Sequence, residues 1–362
     1  MNEQTPSGST PHSADTPPTL RVRNKRSKNY WEPTFNPTKA APTGVYDWDA
    51  SGATGVADLL CRSHELREKM KHRGQTRWPV SSFRFTDCDF EGGFVNITFK
   101  NCTFVGCDFG SSVWENAKFS NCVFKKCSLS MCTFKQSQFI ECAWDKIGMS
   151  GTETKFFDTT LSNPVEFISA GYTNVDVDVL AQNNRDAAYQ LMRLEETKTK
   201  VARLILSNNE RSGDDVTYYK SVEAYLRQII KSKISSCKYN IRNRIKLWVN
   251  VPALPIFYAE SIFLRISGAI NNWGASVARP AIVGILIGIV FMLWYRFYGM
   301  APALKVAAMK SFDVTLLFGY TKHAQNDSGF PEQVAYAINA FLGLWWYAIF
   351  VPTIINRISR VR

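Results

Sequence analysis

The sequence predicts a multidomain chain: a β-solenoid, an α-helical hairpin linker and a two-helix transmembrane domain with a re-entrant segment between its spans. Three observations predict it. A large apolar residue recurs every five positions across 94–149, the apolar period becomes helical from about 183, and two uncharged runs, 281–295 and 334–355, lie near the C-terminus.

The five-residue series is Phe94, Phe99, Phe104, Phe109, Trp114, Phe119, Phe124, Leu129, Phe134, Phe139, Trp144 and Met149. Two residues before each stands a smaller one, among them Ile97, Cys102, Cys107, Ser112, Ala117, Cys122, Cys127, Cys132, Ser137 and Cys142. A period of five fits neither the helical 3.6 nor the strand alternation of 2, so neither template buries this set on one face. A square coil does, with one five-residue unit per side, the large and small residues inward and the polar ones outward. The expected core includes Phe99, Phe104, Phe109, Trp114, Phe119, Phe124, Phe134 and Phe139. Phe85, Cys88 and Phe90 add earlier sides after a one-residue slip at 91–93. These residues resemble the pentapeptide-repeat family, which implies a right-handed quadrilateral β-helix of about four repeats per turn.

The chain has 362 residues and a formal net charge of +12, which raises nucleic acid or an anionic membrane surface as partners. Acids and bases nearly balance between 83 and 158, so the coil is not expected to mimic nucleic acid, and no nucleic-acid partner is expected. Seven of nine cysteines fill the inward small position, and adjacent turns bring Cys102, Cys122 and Cys142 into one ladder. Packing, and not a metal site, is the expectation for a column without histidine. Unpaired thiols in this number point to a reducing compartment.

In chain order, residues 1–45 are rich in Ser, Thr and Pro and read as a disordered tail carrying Arg21, Arg23, Lys25, Arg26 and Lys28. Residues 46–80 read as a helical cap of the solenoid, with a helix over 56–72 ended by Trp78-Pro79 and covering the first coil's edge. The solenoid is expected over 81–165, closed by Pro164. A helical hairpin over 180–250 follows, its first arm striped with Ala187, Leu191, Leu194, Val201 and Leu204 and broken at 208–213. Asp214 and Asp215 offer an N-cap to the second arm, striped with Val216, Tyr219, Val222, Tyr225 and Ile229. That arm runs into Arg227, Lys231, Lys233, Lys238, Arg242, Arg244 and Lys246, seven bases without an acid. So close to a membrane segment they are expected to meet anionic headgroups, at roughly 1 kcal/mol per base. Residues 251–279, interrupted by Pro252, Pro255, Glu260 and Arg265, read as an interfacial amphipathic segment.

The two-span domain is expected over 280–362, with spans at about 281–300 and 334–355. Bases flanking the spans put both termini and the β-helix in the cytoplasm, and the bacterial inner membrane is the expected location. Between the spans, 303–317 is helical in pattern and leads to Phe318, Gly319 and Tyr320. Span, short helix, Gly-Tyr turn and span resemble the two-helix pore domain of potassium channels, with 315–321 standing for the filter strand. The resemblance makes Asp313, Thr315, Leu317, Phe318, Gly319, Tyr320 and Thr321 filter-like residues and implies a homo-oligomer, a tetramer, with 350–355 lining the cytoplasmic side. It departs where that family reads Thr-x-Gly-Tyr-Gly. Leu317 stands at the Thr position and Thr321 replaces the second Gly, so no particular ion follows.

The whole order also resembles a group of bacterial pentapeptide-repeat membrane proteins with a channel-like end. The expected function is therefore an inner-membrane oligomeric pore with a cytoplasmic sensing or docking solenoid. The alternative is a membrane-anchored scaffold whose solenoid binds a protein partner. His64, Glu68 and His72 share helical spacing but read as a solvated face; no catalytic group, cofactor or metal site is expected, and the chain is not expected to be an enzyme.

Overall fold

The computed structural model describes residues 42–49, 53–149, 154–172, 186–318 and 329–360. The basic tail, with Arg21 to Lys28, lies outside them, as do the filter-like residues Gly319, Tyr320 and Thr321.

The five-residue period folds as a β-solenoid of about four turns, all its strands parallel. One side stacks Gly55–Ala57, Arg84–Thr86, Thr103–Val105, Val123–Lys125 and Ala143–Asp145. Another stacks Trp78–Ser81, Ile97–Lys100, Lys118–Ser120, Gln138–Ile140 and Thr160–Leu161. A third stacks Gly93–Val95, Val113–Glu115, Thr133–Lys135 and Lys155–Phe157. The fourth begins with Gly44–Val45 against Leu59–Arg62, then Asp89–Glu91, and continues as single bridges through Asp108, Ser128 and Gly148.

This register places like on like. Phe99, Phe119 and Phe139 stack at centroid separations of 5.1 and 4.8 Å, and Phe104, Phe124 and Trp144 at 4.9 and 4.5 Å. Phe90 lies on Phe109 at 4.5 Å, Phe94 on Trp114 at 4.3 Å and Phe134 on Phe156 at 5.4 Å. All eight expected core aromatics are buried. Corners are made two residues after the large one by left-handed residues such as Asn96, Asn101, Asn116, Asn121 and Lys126. Asn tolerates that conformation better than most side chains, and here the corner residues also ladder between turns, Asn116 donating to Asn96 at 2.6 Å. The slip at 91–93 falls on Gly92, whose φ of +97° and contact with the Ser63 hydroxyl leave no room for a Cβ.

The N-terminal end differs from the helix expected over 56–72. Gly55–Ala57 and Leu59–Arg62 are solenoid strands, and only α1 (Ser63–His72) is helical, taking the place of a side in the first turn. Backbone pairing with the next turn decides between the two periods, since Leu60, Cys61 and Arg62 ladder against Asp89, Phe90 and Glu91. At the other end α2 (Pro164–Ala170) sets Phe167 edge-on to Trp144 at 4.8 Å, so Pro164 opens a capping helix. Edges covered in this way are closed to pairing with other chains.

Two long antiparallel helices follow, α3 (Ala187–Arg211) and α4 (Asp215–Arg242). α3 does not break at 208. Asn208 donates to the Phe156 carbonyl at 3.0 Å, and Asn209 both accepts from the Leu161 amide and donates to the Ser221 hydroxyl at 2.7 Å. These amides satisfy the open backbone groups of the last coil, which a broken helix would not reach. The face turned to the coil is Val201, Ala202 and Ile205 with Ala224, whereas Leu191, Leu204 and Val216 of the expected stripes are exposed.

Beyond α4 come α5 (Leu247–Asn271), α6 (Ala278–Phe297), the short α7 (Leu304–Thr315) and α8 (Phe330–Arg360). Among the described residues three helices, not two, are long and apolar enough to cross a membrane: 28 residues at Leu247–Gly274, 20 at Ala278–Phe297 and 30 at Phe330–Ser359. Pro252 and Pro255 stay inside α5, because a proline removes a bond without ending a helix that packs along a neighbour.

Candidate functional site

Two clusters carry chemistry, one inside the apolar helices and one where α4 meets α5.

The first is a polar network in an otherwise apolar bundle. Ser311 of α7 donates to the Gly288 carbonyl of α6 at 2.7 Å. Thr315 donates to the Asn339 side-chain oxygen of α8 at 2.8 Å, and the Asn339 amide donates to the Tyr295 hydroxyl at 2.9 Å. All four side chains are at most 3 % exposed. Hydroxyl and amide groups buried in an apolar setting are costly unless bonded, so the network fixes α7 between α6 and α8. The backbones also approach closely. A Cβ at Gly343 of α8 would lie 2.1 Å from the Thr315 carbonyl oxygen, so only glycine fits there. Lys310 donates to the Met300 carbonyl at 3.2 Å and lies over the Tyr336 ring at 4.6 Å.

The filter-like residues within the description are therefore dispersed. Thr315 is buried and turned toward Asn339 inside the subunit, Asp313 is half-buried, and Leu317 and Phe318 are exposed. Leu317 takes φ of +61° just past the end of α7, the position where helices end in a left-handed residue. Tyr295, Ser311 and Asn339 were not singled out in the sequence. Asn339, a lone amide in the uncharged run 334–355, was the signal for them.

The second cluster is the basic face of α4. Arg227 pairs with Glu223 at 2.9 Å and covers the Trp273 ring at 5.1 Å. Lys233 pairs with Glu260, the one acid of α5, at 2.9 Å, and Lys238 lies 5.7 Å over Tyr258. The Cys237 thiol donates to the Asn250 carbonyl at 3.0 Å. Lys231 and Arg242 are exposed, and Arg244 and Lys246 form the left-handed turn into α5. α4 is thus zipped along α5, whose other face is largely open, with Trp248, Ile256 and Ile262 exposed and Phe263, also exposed, touching Trp345 of α8 with ring centroids 5.6 Å apart.

A junction joins the end of α8 to α4 and α5. Arg357 of α8 pairs with Asp215 at the start of α4 at 3.2 Å, and Asn271 bonds Thr353 at 3.3 Å. A cleft of about 460 Å³ lies there, bordered by Tyr219, Trp273 and Asn356.

In the solenoid each inward cysteine donates to a carbonyl of the turn before. Cys107 reaches Phe85, Cys122 reaches Phe99, Cys127 reaches Phe104 and Cys142 reaches Phe119, at 3.4 to 3.5 Å. Ser137 does the same to Trp114 at 3.3 Å. Burial pushes the Cys61 and Cys107 thiols well above their ordinary range. All nine cysteines are free and buried. Their position makes them packing groups with a donor.

No curated protein matches the chain. Residues 102–139 match the family described as Pentapeptide repeats, with 8 copies, and this segment of the chain is a pentapeptide-repeat solenoid joined to apolar helices compatible with membrane association.

Proposed function

We propose that the protein is a membrane-embedded homo-oligomer in which α6, α7 and α8 of several subunits surround an ion pathway, with the solenoid as a cytoplasmic sensing or docking module. The observation that carries this reading is α7, a helix too short to span yet held between two helices long and apolar enough to do so by the Ser311, Thr315, Asn339 and Tyr295 network. An inert anchor needs only apolar helices, and polar groups at membrane depth are costly enough to mark function. Two crossing helices per subunit cannot enclose water, so a closed ring is required, and the resemblance to two-helix channels suggests four subunits.

In this reading α5 does not cross. It is zipped to α4, and crossing would draw Lys231, Lys233 and Lys238 inward at about 2.5 to 3.5 kcal/mol each. α5 instead lies along the headgroups with its bare apolar face inward and the bases of α4 near anionic lipid. Two crossings then leave both termini on one side, and Arg279, Arg357 and Arg360 favour the cytoplasm of a bacterial cell for that side.

A membrane-anchored scaffold without conductance is the second reading, favoured by Thr315, whose hydroxyl is bonded within its own subunit and not free for an ion. Planar-bilayer recording of the purified protein separates the two. The pore reading expects unitary currents that Asp313→Ala or Gly319→Val alters while membrane insertion persists. A monomeric, silent wild-type protein would hand the function to the scaffold.

A further inference from the structure

Between α4 and α5 lies a second pocket, of about 340 Å³, lined by Arg227, Ile230, Lys231, Ser261, Leu264 and Arg265. Its charge is one-sided, with three cations and a hydroxyl at its wall and no acid. Arg227 and Lys231 stand four apart on α4 and so share a face, while Arg265 approaches from α5. Arg227 shares its charge with Glu223, and Glu260, next to Ser261, is taken by Lys233. Neither Lys231 nor Arg265 has an ion pair among the described residues. Lys198 of α3 feels the same field. Burial first, and then the charge of Lys231, lower its pKa against the opposing pull of Glu195.

Lys231 and Arg265, with no acid between them, repel each other until an anion arrives, and guanidinium and ammonium groups around a hydroxyl match a phosphate. The source of that phosphate is decided by the neighbours. Ile262, Phe263 and Ile266, the residues flanking Leu264 and Arg265 on α5, are exposed apolar side chains, a surface that suits acyl chains and not a soluble anion. We infer that this pocket binds the phosphodiester headgroup of an anionic glycerophospholipid, with Lys231, Arg265 and Arg227 on the phosphate and Ser261 as a hydrogen-bond partner. The inference rests on the proposed placement of α5 at the membrane surface, and it adds a defined site to the general attraction of a basic helix.

The test uses the full-length protein in neutral detergent and titrates short-chain phosphatidylglycerol, phosphatidylcholine or inorganic phosphate, with binding read by thermal shift and native mass spectrometry. Phosphatidylglycerol should bind and phosphatidylcholine should not. Lys231→Gln with Arg265→Gln should weaken binding by about tenfold or more, the loss expected for charge-assisted bonds. Arg203→Gln, a lost exposed base on α3 outside the pocket and the basic face, should change it less than about twofold. Gel filtration and circular dichroism confirm that each variant is folded. Equal binding of both lipids, or an unchanged double variant, overturns the site, and stabilisation by inorganic phosphate alone equal to that by lipid overturns the lipid as its ligand. No bilayer or current enters the measurement. A protein that proves silent can therefore still pass, and a conducting one can still fail.

Discussion

Each side of the solenoid rests on a division of labour between two residues. The large one packs on its counterpart a turn away, and the small one, where it is Cys or Ser, sends a donor to the carbonyl behind it. Phe119 lies between Phe99 and Phe139, whereas Cys122 spans only to the Phe99 carbonyl. Phe119→Ala should open a cavity that costs about 3 to 5 kcal/mol, and Cys122→Ala about 1 to 2. Chemical denaturation followed by solenoid circular dichroism compares them. Equal losses would mean that the two positions do not differ in this way. The pattern of large and small residues was legible from spacing, but the carbonyl partner of each thiol was not, because it belongs to another turn.

Among the elements, α4 carries the basic cluster and also meets α3, α5 and the start of the α8 junction, and its start is set by one side chain. Asp214 accepts from the Val216 amide at 3.1 Å and the Thr217 amide at 3.4 Å, and the Thr217 hydroxyl bonds the same carboxylate. That hydroxyl, ahead of the amides, holds the Asp214 pKa below its ordinary 3.8. A carboxylate depressed in the folded state stabilises it above the unfolded pKa and loses that contribution as pH falls through the folded one. Asp214→Ala should therefore destabilise the first turn by about 1 kcal/mol at neutral pH, with the difference fading below about pH 4. Amide hydrogen exchange over 215–219, taken as the ratio of variant to wild type at each pH, reads this out. A ratio near one at neutral pH would remove the cap. The cap was legible as Asp-Asp before an apolar stripe. The buried face was legible only in part: Leu194, Val201 and Tyr219 of the expected stripes are buried, whereas Leu191, Leu204 and Val216 are exposed and Ile205 and Ala224 pack on the coil end instead.

At the level of the whole molecule, solenoid and apolar helices meet through a few named contacts. Asn208 and Asn209 hold α3 to the last coil, Arg357 holds α8 to the start of α4, and Asn271 holds the end of α5 to α8. The sequence reading placed two spans, and the structure offers three helices that qualify by length and composition. Single cysteines at Arg244→Cys and Ser276→Cys, one beyond each end of α5, decide whether it crosses. Both should react with a membrane-impermeant maleimide from the same, cytoplasmic face, and the nine native thiols are buried. Labelling of the two positions from opposite faces would make α5 a span, put the chain termini on opposite sides and withdraw the interfacial placement.

The sequence by itself determined the solenoid, its core residues, the slip before Gly93 and the two C-terminal apolar runs. Each is written locally: a repeat of five or a long uncharged stretch carries its own periodicity or length, whatever it packs against. Tertiary structure alone decided the rest. Leu59 to Arg62 became a strand because a neighbouring turn offered a ladder, and Asn208 and Asn209 stayed helical because the open coil end took their amides. Thr315 turned inward because Asn339, 24 residues away, presents its oxygen there, and the basic pocket exists only where α4 and α5 meet. A hydrogen bond or a shared charge field between distant residues is a matter of distance in space, and no window along the chain records it.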